Sequence, residues 1–120
     1  MARVLVIDDD PGIRMIVRHV LEPMGHEVIL GDDGFRGLGM AQHQRPDVVV
    51  LDLMMPLVDG FETLRMLATD DRTARIPVIV LSAIASGQED RCREAGAVAV
   101  LSKPFEPEDL DRAIRDALAG

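Results

Sequence analysis

Val48-Val49-Val50-Leu51-Asp52-Leu53-Met54-Met55-Pro56 is the stretch from which the rest of this chain is read. Four consecutive branched apolar residues mark a strand buried on both faces, because a half-solvated strand would alternate apolar with polar positions. An acid placed directly after such a run is delivered to the edge of a sheet. The pattern recurs: Val4-Leu5-Val6-Ile7 runs into Asp8-Asp9, Val78-Ile79-Val80-Leu81 into Ser82, and Ala97-Val98-Ala99-Val100-Leu101 leads to Lys103. The charges of one site thus sit at the ends of separate strands.

Working outward, five apolar runs fall at roughly residues 3–7, 27–30, 47–51, 77–82 and 97–101. Helical periodicity fills the gaps. The first helix is expected to start near Pro11 with Asp10 as N-cap, to carry Ile13, Ile16, Val17, Val20 and Leu21 on its apolar face, and to stop at Gly25. Further helices are expected near residues 33–44, 60–69, 87–94 and 107–118, the last with Leu110, Ala113, Ile114, Ala117 and Leu118 on one face. Asp59 and Gly60 read as turn and helix-start residues, and Asp70 to Arg75 as a solvated connection. Strands alternating with helices predict an α/β fold: a doubly wound, five-stranded parallel sheet covered by helices on both faces.

At 120 residues the chain has room for one domain, spanning 1–120, and its 48% apolar content suffices for a core. Thirteen basic against 21 acidic residues give a net charge of -8, which repels nucleic-acid and lipid phosphates, so no direct nucleic-acid binding and no membrane association are expected. No apolar run approaches the ~20 residues needed to cross a bilayer. The single Cys92 excludes an internal disulfide, and the N-terminus lacks a signal-peptide pattern, so a cytoplasmic location is the simplest expectation.

In an open doubly wound sheet, ligands collect at the carboxyl ends of the strands. Asp8, Asp9, Asp52, Ser82 and Lys103 all belong there. Three close carboxylates must either hold protons or be neutralised by a cation, and hard oxygen ligands favour Mg²⁺ with several retained waters. With the metal bound, Asp52 would be able to attack phosphorus, while Ser82 and Lys103 take oxygens of the transferred group.

These residues resemble the receiver domain of bacterial two-component response regulators. The matching segments are Val6-Ile7-Asp8-Asp9-Asp10, Asp52-Leu53-Met54-Met55-Pro56 with Asp59-Gly60-Phe61-Glu62, Leu81-Ser82-Ala83 and Lys103-Pro104-Phe105. The resemblance implies a flavodoxin-like strand order 2-1-3-4-5. It implies that Asp52 accepts a phosphoryl group from a histidine kinase or histidine phosphotransfer protein. It further implies that Asp9 contacts Mg²⁺, Asp8 supports it partly through water, and the Met54 carbonyl completes the protein ligands. Ser82 becomes the switch hydroxyl, Lys103 the phosphate-sensing cation, and Lys103-Pro104 a candidate cis peptide. A downstream effector would be met by the fourth helix, fifth strand and fifth helix, around Arg91, Val100 and Arg112.

Two positions depart from the family pattern. Val100 stands where receivers usually carry Tyr or Phe, and Gly96-Ala97-Val98-Ala99-Val100 lacks the Asp-Asp-Tyr of many receivers that dimerise above winged-helix domains. Met54 and Ile84 offer no polar group to orient an attacking water, which predicts slow loss of the phosphoryl group. The chain is therefore expected to be a regulatory domain rather than a turnover enzyme. Two alternatives stand beside it: a phosphorylation-independent interaction module, and a phosphohydrolase with an aspartyl-phosphate intermediate, against which Met54 counts. His19, His26 and His43 lack metal-site spacing, Cys92 reads as an ordinary helix thiol, and Met15, Met40 and Met66 read as core filling.

Overall fold

The computed structural model describes residues 2–53, 60–82 and 89–119, apart from the side chain of Ser82. Its elements run β1 (Arg3–Ile7), α1 (Pro11–Leu21), a 3-10 turn (Glu22–Met24), β2 (Glu27–Gly31), α2 (Gly34–Gln44), β3 (Val48–Asp52), α3 (Gly60–Thr69), β4 (Val78–Ser82), α4 (Glu89–Glu94), β5 (Ala99–Ser102) and α5 (Pro107–Ala119). All five strands join one sheet in the order β2-β1-β3-β4-β5, and every neighbouring pair is parallel.

The uninterrupted apolar runs are explained by the two layers they separate. On one side Leu5, Ile7, Val49, Leu51, Val78 and Val80 pack against Ala41 of α2, Leu64 and Leu67 of α3 and Cys92 of α4. On the other, Val4, Val6, Val48, Val50, Ile79 and Leu81 meet Val17 and Leu21 of α1 and Leu110 and Ile114 of α5. Alternate side chains of one strand thus serve opposite cores. Each fully buried Leu or Ile contributes about 1.5–3 kcal/mol of transfer free energy before chain entropy is counted.

Local chemistry sets the helix ends. Asp10 caps α1 by accepting a hydrogen bond from the Gly12 N–H at 2.8 Å, with Pro11 in the first turn, where its missing N–H costs nothing. Asp33 does the same for α2, accepting from the Arg36 N–H at 2.7 Å. Pro23 coincides with the tightening of the chain beyond Leu21, and Gly25, at φ +92°, makes the left-handed turn that ends the segment.

Three expectations are corrected. Met15 and Ile16, assigned to the core and to the apolar face of the first helix, are 47% and 55% exposed. They lie beyond the arc of α1 that the sheet covers, which Val17 and Leu21 occupy. The 70–75 connection is only partly solvated, because Thr73 is buried and its hydroxyl donates to the Leu67 carbonyl at 2.7 Å. The fifth strand starts at Ala99 rather than near 97, since the Ala97 N–H donates to the Cys92 carbonyl and closes α4. Among the described residues, no helix is long and apolar enough to cross a membrane.

Candidate functional site

The strand order reverses at β1, whose neighbours are β2 on one side and β3 on the other. Helix α1, which follows β1, packs on one face of the sheet and α3, which follows β3, on the other, the switch point at which a crevice is expected at the carboxyl ends of the strands. Asp52 is the last residue of β3, Asp8 and Asp9 follow β1, and Lys103 follows β5. Oxygens of Asp8, Asp9 and Asp52 lie within 4.8 Å of one another. Asp8 and Asp52 are buried, whereas Asp9 faces solvent.

Lys103 Nζ stands 3.4 Å from Asp52 Oδ1 and 3.9 Å from Asp8 Oδ2, so one cation faces two buried acids. Asp8 is held from three directions. Its Oδ1 accepts from the Asp10 N–H at 2.9 Å, its N–H donates to the Gly31 carbonyl, and its carbonyl accepts from Arg14 Nη1 at 2.6 Å. Burial pushes the Asp8 carboxyl up to about 6; the Asp10 N–H opposes this, the nearby Asp52 charge adds to it, and Lys103 pulls it back. Asp8 Oδ2 is buried and, among the described residues, receives no hydrogen bond from a fixed donor. It can share a proton with the Asp52 carboxylate or contact a cation.

That orphaned oxygen, in a set of hard carboxylate donors, fits a small divalent cation better than it fits an empty polar crevice. Asp8, Asp9 and Asp52 are the described residues that could hold one. The Met54 carbonyl and the Ser82 hydroxyl lie outside the described residues and atoms, as do Ile84 and Asp59, while the Ser82 backbone ends β4 beside Ser102. The Lys103-Pro104 peptide is cis.

Gly60 explains how α3 fits so close to the acceptor. Its N–H donates to the Leu53 carbonyl at 3.0 Å, and a Cβ there would stand 2.4 Å from Leu53 backbone atoms. Leu53 in turn donates to the Leu81 carbonyl, so the residue after Asp52 ties β3 to β4 and to α3.

Other sequence candidates are dispersed. His19 is exposed, His43 bonds the Gly39 carbonyl of its own helix, and His26 faces Asp111 at 3.4 Å. Cys92 is buried, and burial pushes its thiol up, which favours an inert core residue. Sequence reasoning missed Arg14, whose signal was an arginine one turn into a helix that follows the acidic pair. It also missed a groove of about 440 Å³ between α1 and the segment after β5, lined by Ile13, Ile16, Val17, Val20, Pro104, Phe105 and Lys103.

Comparison with known proteins agrees with this geometry. The response regulator receiver domain model matches residues 4–115. Protein PilH of Pseudomonas aeruginosa is 36% identical over 122 residues, covering the whole of both chains. The DNA-binding dual master transcriptional regulator RpaA of Synechocystis is 41% identical over 119 residues, and the chain spans about half of that protein's length, 49%. The crystal structure of the receiver domain of a sensor histidine kinase from Pseudomonas aeruginosa, with a magnesium ion coordinated in its active-site cleft, superposes with a TM-score of 0.91 at 28% identity, over 99% of this chain and 98% of that one. The chain belongs to the response regulator receiver domain family, the regulatory modules of phosphorylation-based two-component signalling.

Proposed function

We propose that this receiver domain is a Mg²⁺-dependent phosphoacceptor in which Asp52 takes a phosphoryl group from a phosphohistidine of a histidine kinase or histidine phosphotransfer protein. The observation that carries the reading is the placement of Lys103 Nζ between Asp52 and the buried Asp8, at the carboxyl edge of the sheet.

An Asp52 oxygen forms the new O–P bond as the P–N bond breaks, and its electron pair leaves with the donor imidazole. Lys103, already facing Asp52, pairs with the more highly charged product. The Ser82 hydroxyl donates to a phosphoryl oxygen. Asp8, Asp9, Asp52 and the Met54 carbonyl are the ligands that would hold Mg²⁺, and the bound cation would screen the carboxylates from the incoming phosphoryl group. The apolar groove bounded by Lys103, Phe105 and the exposed Ile16 is the adjoining surface that a protein donor would cover. Downstream, the face built by α4, β5 and α5 would meet the effector, with Val98 exposed and Arg112 beside it. Met54 and Ile84 leave water without an orienting group, so the phosphoryl group is lost slowly; a lifetime of only seconds for the purified phosphoprotein contradicts this.

The deciding experiment is intact mass after incubation with acetyl phosphate, with and without Mg²⁺, for wild type and Asp52→Ala. A gain of one phosphoryl group requiring both Mg²⁺ and Asp52 supports the reading. No gain under any condition overturns it in favour of a phosphorylation-independent module.

A further inference from the structure

The described part of α4 runs from Glu89 to Glu94. Among its described residues, Cys92 and Arg91 hold it against α3 and the sheet. Cys92 is buried in the layer shared with Leu64, Leu67 and Val80. Arg91 places its guanidinium 3.9 Å from the centroid of the Phe61 ring, a cation-π stack between α4 and α3. The first anchor is a general apolar contact, but the second connects directly to the acceptor. Phe61 follows Gly60, whose N–H is bonded to the Leu53 carbonyl and whose backbone lies against Leu53 without room for a Cβ. Leu53 follows Asp52. A displacement at Asp52 therefore reaches the Phe61 ring through one backbone hydrogen bond and two peptide links. Val100, half-buried, offers no aromatic ring that could relay it on β5.

We infer that the Arg91–Phe61 stack is the contact through which α4 senses the state of Asp52, making Arg91 a positioning residue for the switch; the inference rests on the phosphoacceptor reading above. Arg91 has one further property suited to this role. The residue is exposed, so the stack is weak enough to be broken and remade as the ring shifts.

The test treats wild type, Arg91→Met, Arg91→Lys and Phe61→Leu with acetyl phosphate and Mg²⁺. Intact mass gives the phosphorylated fraction, circular dichroism confirms the fold, and amide hydrogen exchange is followed across α4. The expected result is a wild-type change in α4 exchange on phosphorylation that shrinks about two- to five-fold in Arg91→Met, the factor matching a partly exposed cation-π contact. Phosphoryl uptake should be unchanged in that variant, Arg91→Lys should restore most of the response, and Phe61→Leu should reduce it while keeping an apolar side chain in place. A full mass gain with a wild-type α4 response in Arg91→Met overturns this inference alone, as does a phosphorylated wild type with no α4 response. Absence of a mass gain in wild type overturns the phosphoacceptor reading and this inference with it, and the mass spectrum distinguishes the two failures.

Discussion

Strands β1 and β3 carry charge at both ends, but the two ends are built in opposite ways. At their amino ends, Arg3 donates its N–H to Asp47 Oδ2 at 2.7 Å and its guanidinium to the Gln44 carbonyl at 3.1 Å, and faces Glu27 at 3.5 Å. Opposite charges meet there in solvent, with roughly half of each Arg3 and Glu27 side chain exposed. At their carboxyl ends, three acids crowd together, two of them buried, facing Lys103. One edge is electrostatically satisfied and contributes a little stability. The other gathers like charges that Lys103 offsets only in part, the arrangement expected where a cation and a phosphoryl group are to be bound.

Breaking the comparison at its sharpest point means removing the acceptor. Asp52→Ala should abolish phosphoryl uptake, read as the absence of any mass gain with acetyl phosphate and Mg²⁺. Next in size is Lys103→Met, which keeps the stem but removes the cation. It should slow phosphoryl uptake by about 10- to 100-fold and raise the Asp8 carboxyl further, measured by stopped sampling with intact mass and by carboxyl-carbon NMR titration. Retained wild-type uptake would remove Lys103 from the machinery.

Asp8→Asn tests whether the carboxyl edge is held at a cost. Because burial raises Asp8 from 3.8 to about 6, the folded state holds its proton more tightly than the unfolded chain. The favourable contribution is present below pH 4 and is lost as pH rises through 6, so stability falls in that interval. Asn keeps the oxygen that accepts from the Asp10 N–H and carries no charge. Urea unfolding without metal should show Asp8→Asn more stable than wild type by about 1–3 kcal/mol at pH 7 to 8, with the gap closing toward pH 4. Magnesium should then stabilise wild type more than the variant, by mass action.

The smallest effect belongs to the opposite edge. Asp47→Ala removes an exposed hydrogen bond to the Arg3 N–H and should cost about 1 kcal/mol, with phosphoryl uptake unchanged. A loss of uptake there would mean that the two edges are not independent.

The strands were legible because burial on both faces leaves no alternative to continuous Val, Ile and Leu, as in Val48 to Leu51, whereas their order in the sheet followed only from the family resemblance. Asp8, Asp9, Asp52 and Lys103 could be assigned to one edge for the same reason: each stands at or just past the end of such a run. Periodicity failed where it could not tell which arc of a helix the sheet would cover. Ile16 is at helical spacing from Ile13 and Val20, yet it is exposed and borders the groove beside Lys103. Thr73 was hidden for a different reason, since a polar residue reads as solvated until its Leu67 carbonyl partner is seen.

What the amino-acid order by itself determined is the set of strands, the helix cap at Asp10, and the acids and lysine at the strand ends, because all of these depend on neighbours within a few residues. Tertiary structure alone decided which acids are buried, how far Lys103 stands from each, that Arg14 clamps Asp8, and that Arg91 lies over Phe61. Those features join residues of separate elements, from Asp8 with Arg14 to Asp52 with Lys103, and such pairings exist only once the sheet has brought its strand ends and helices together.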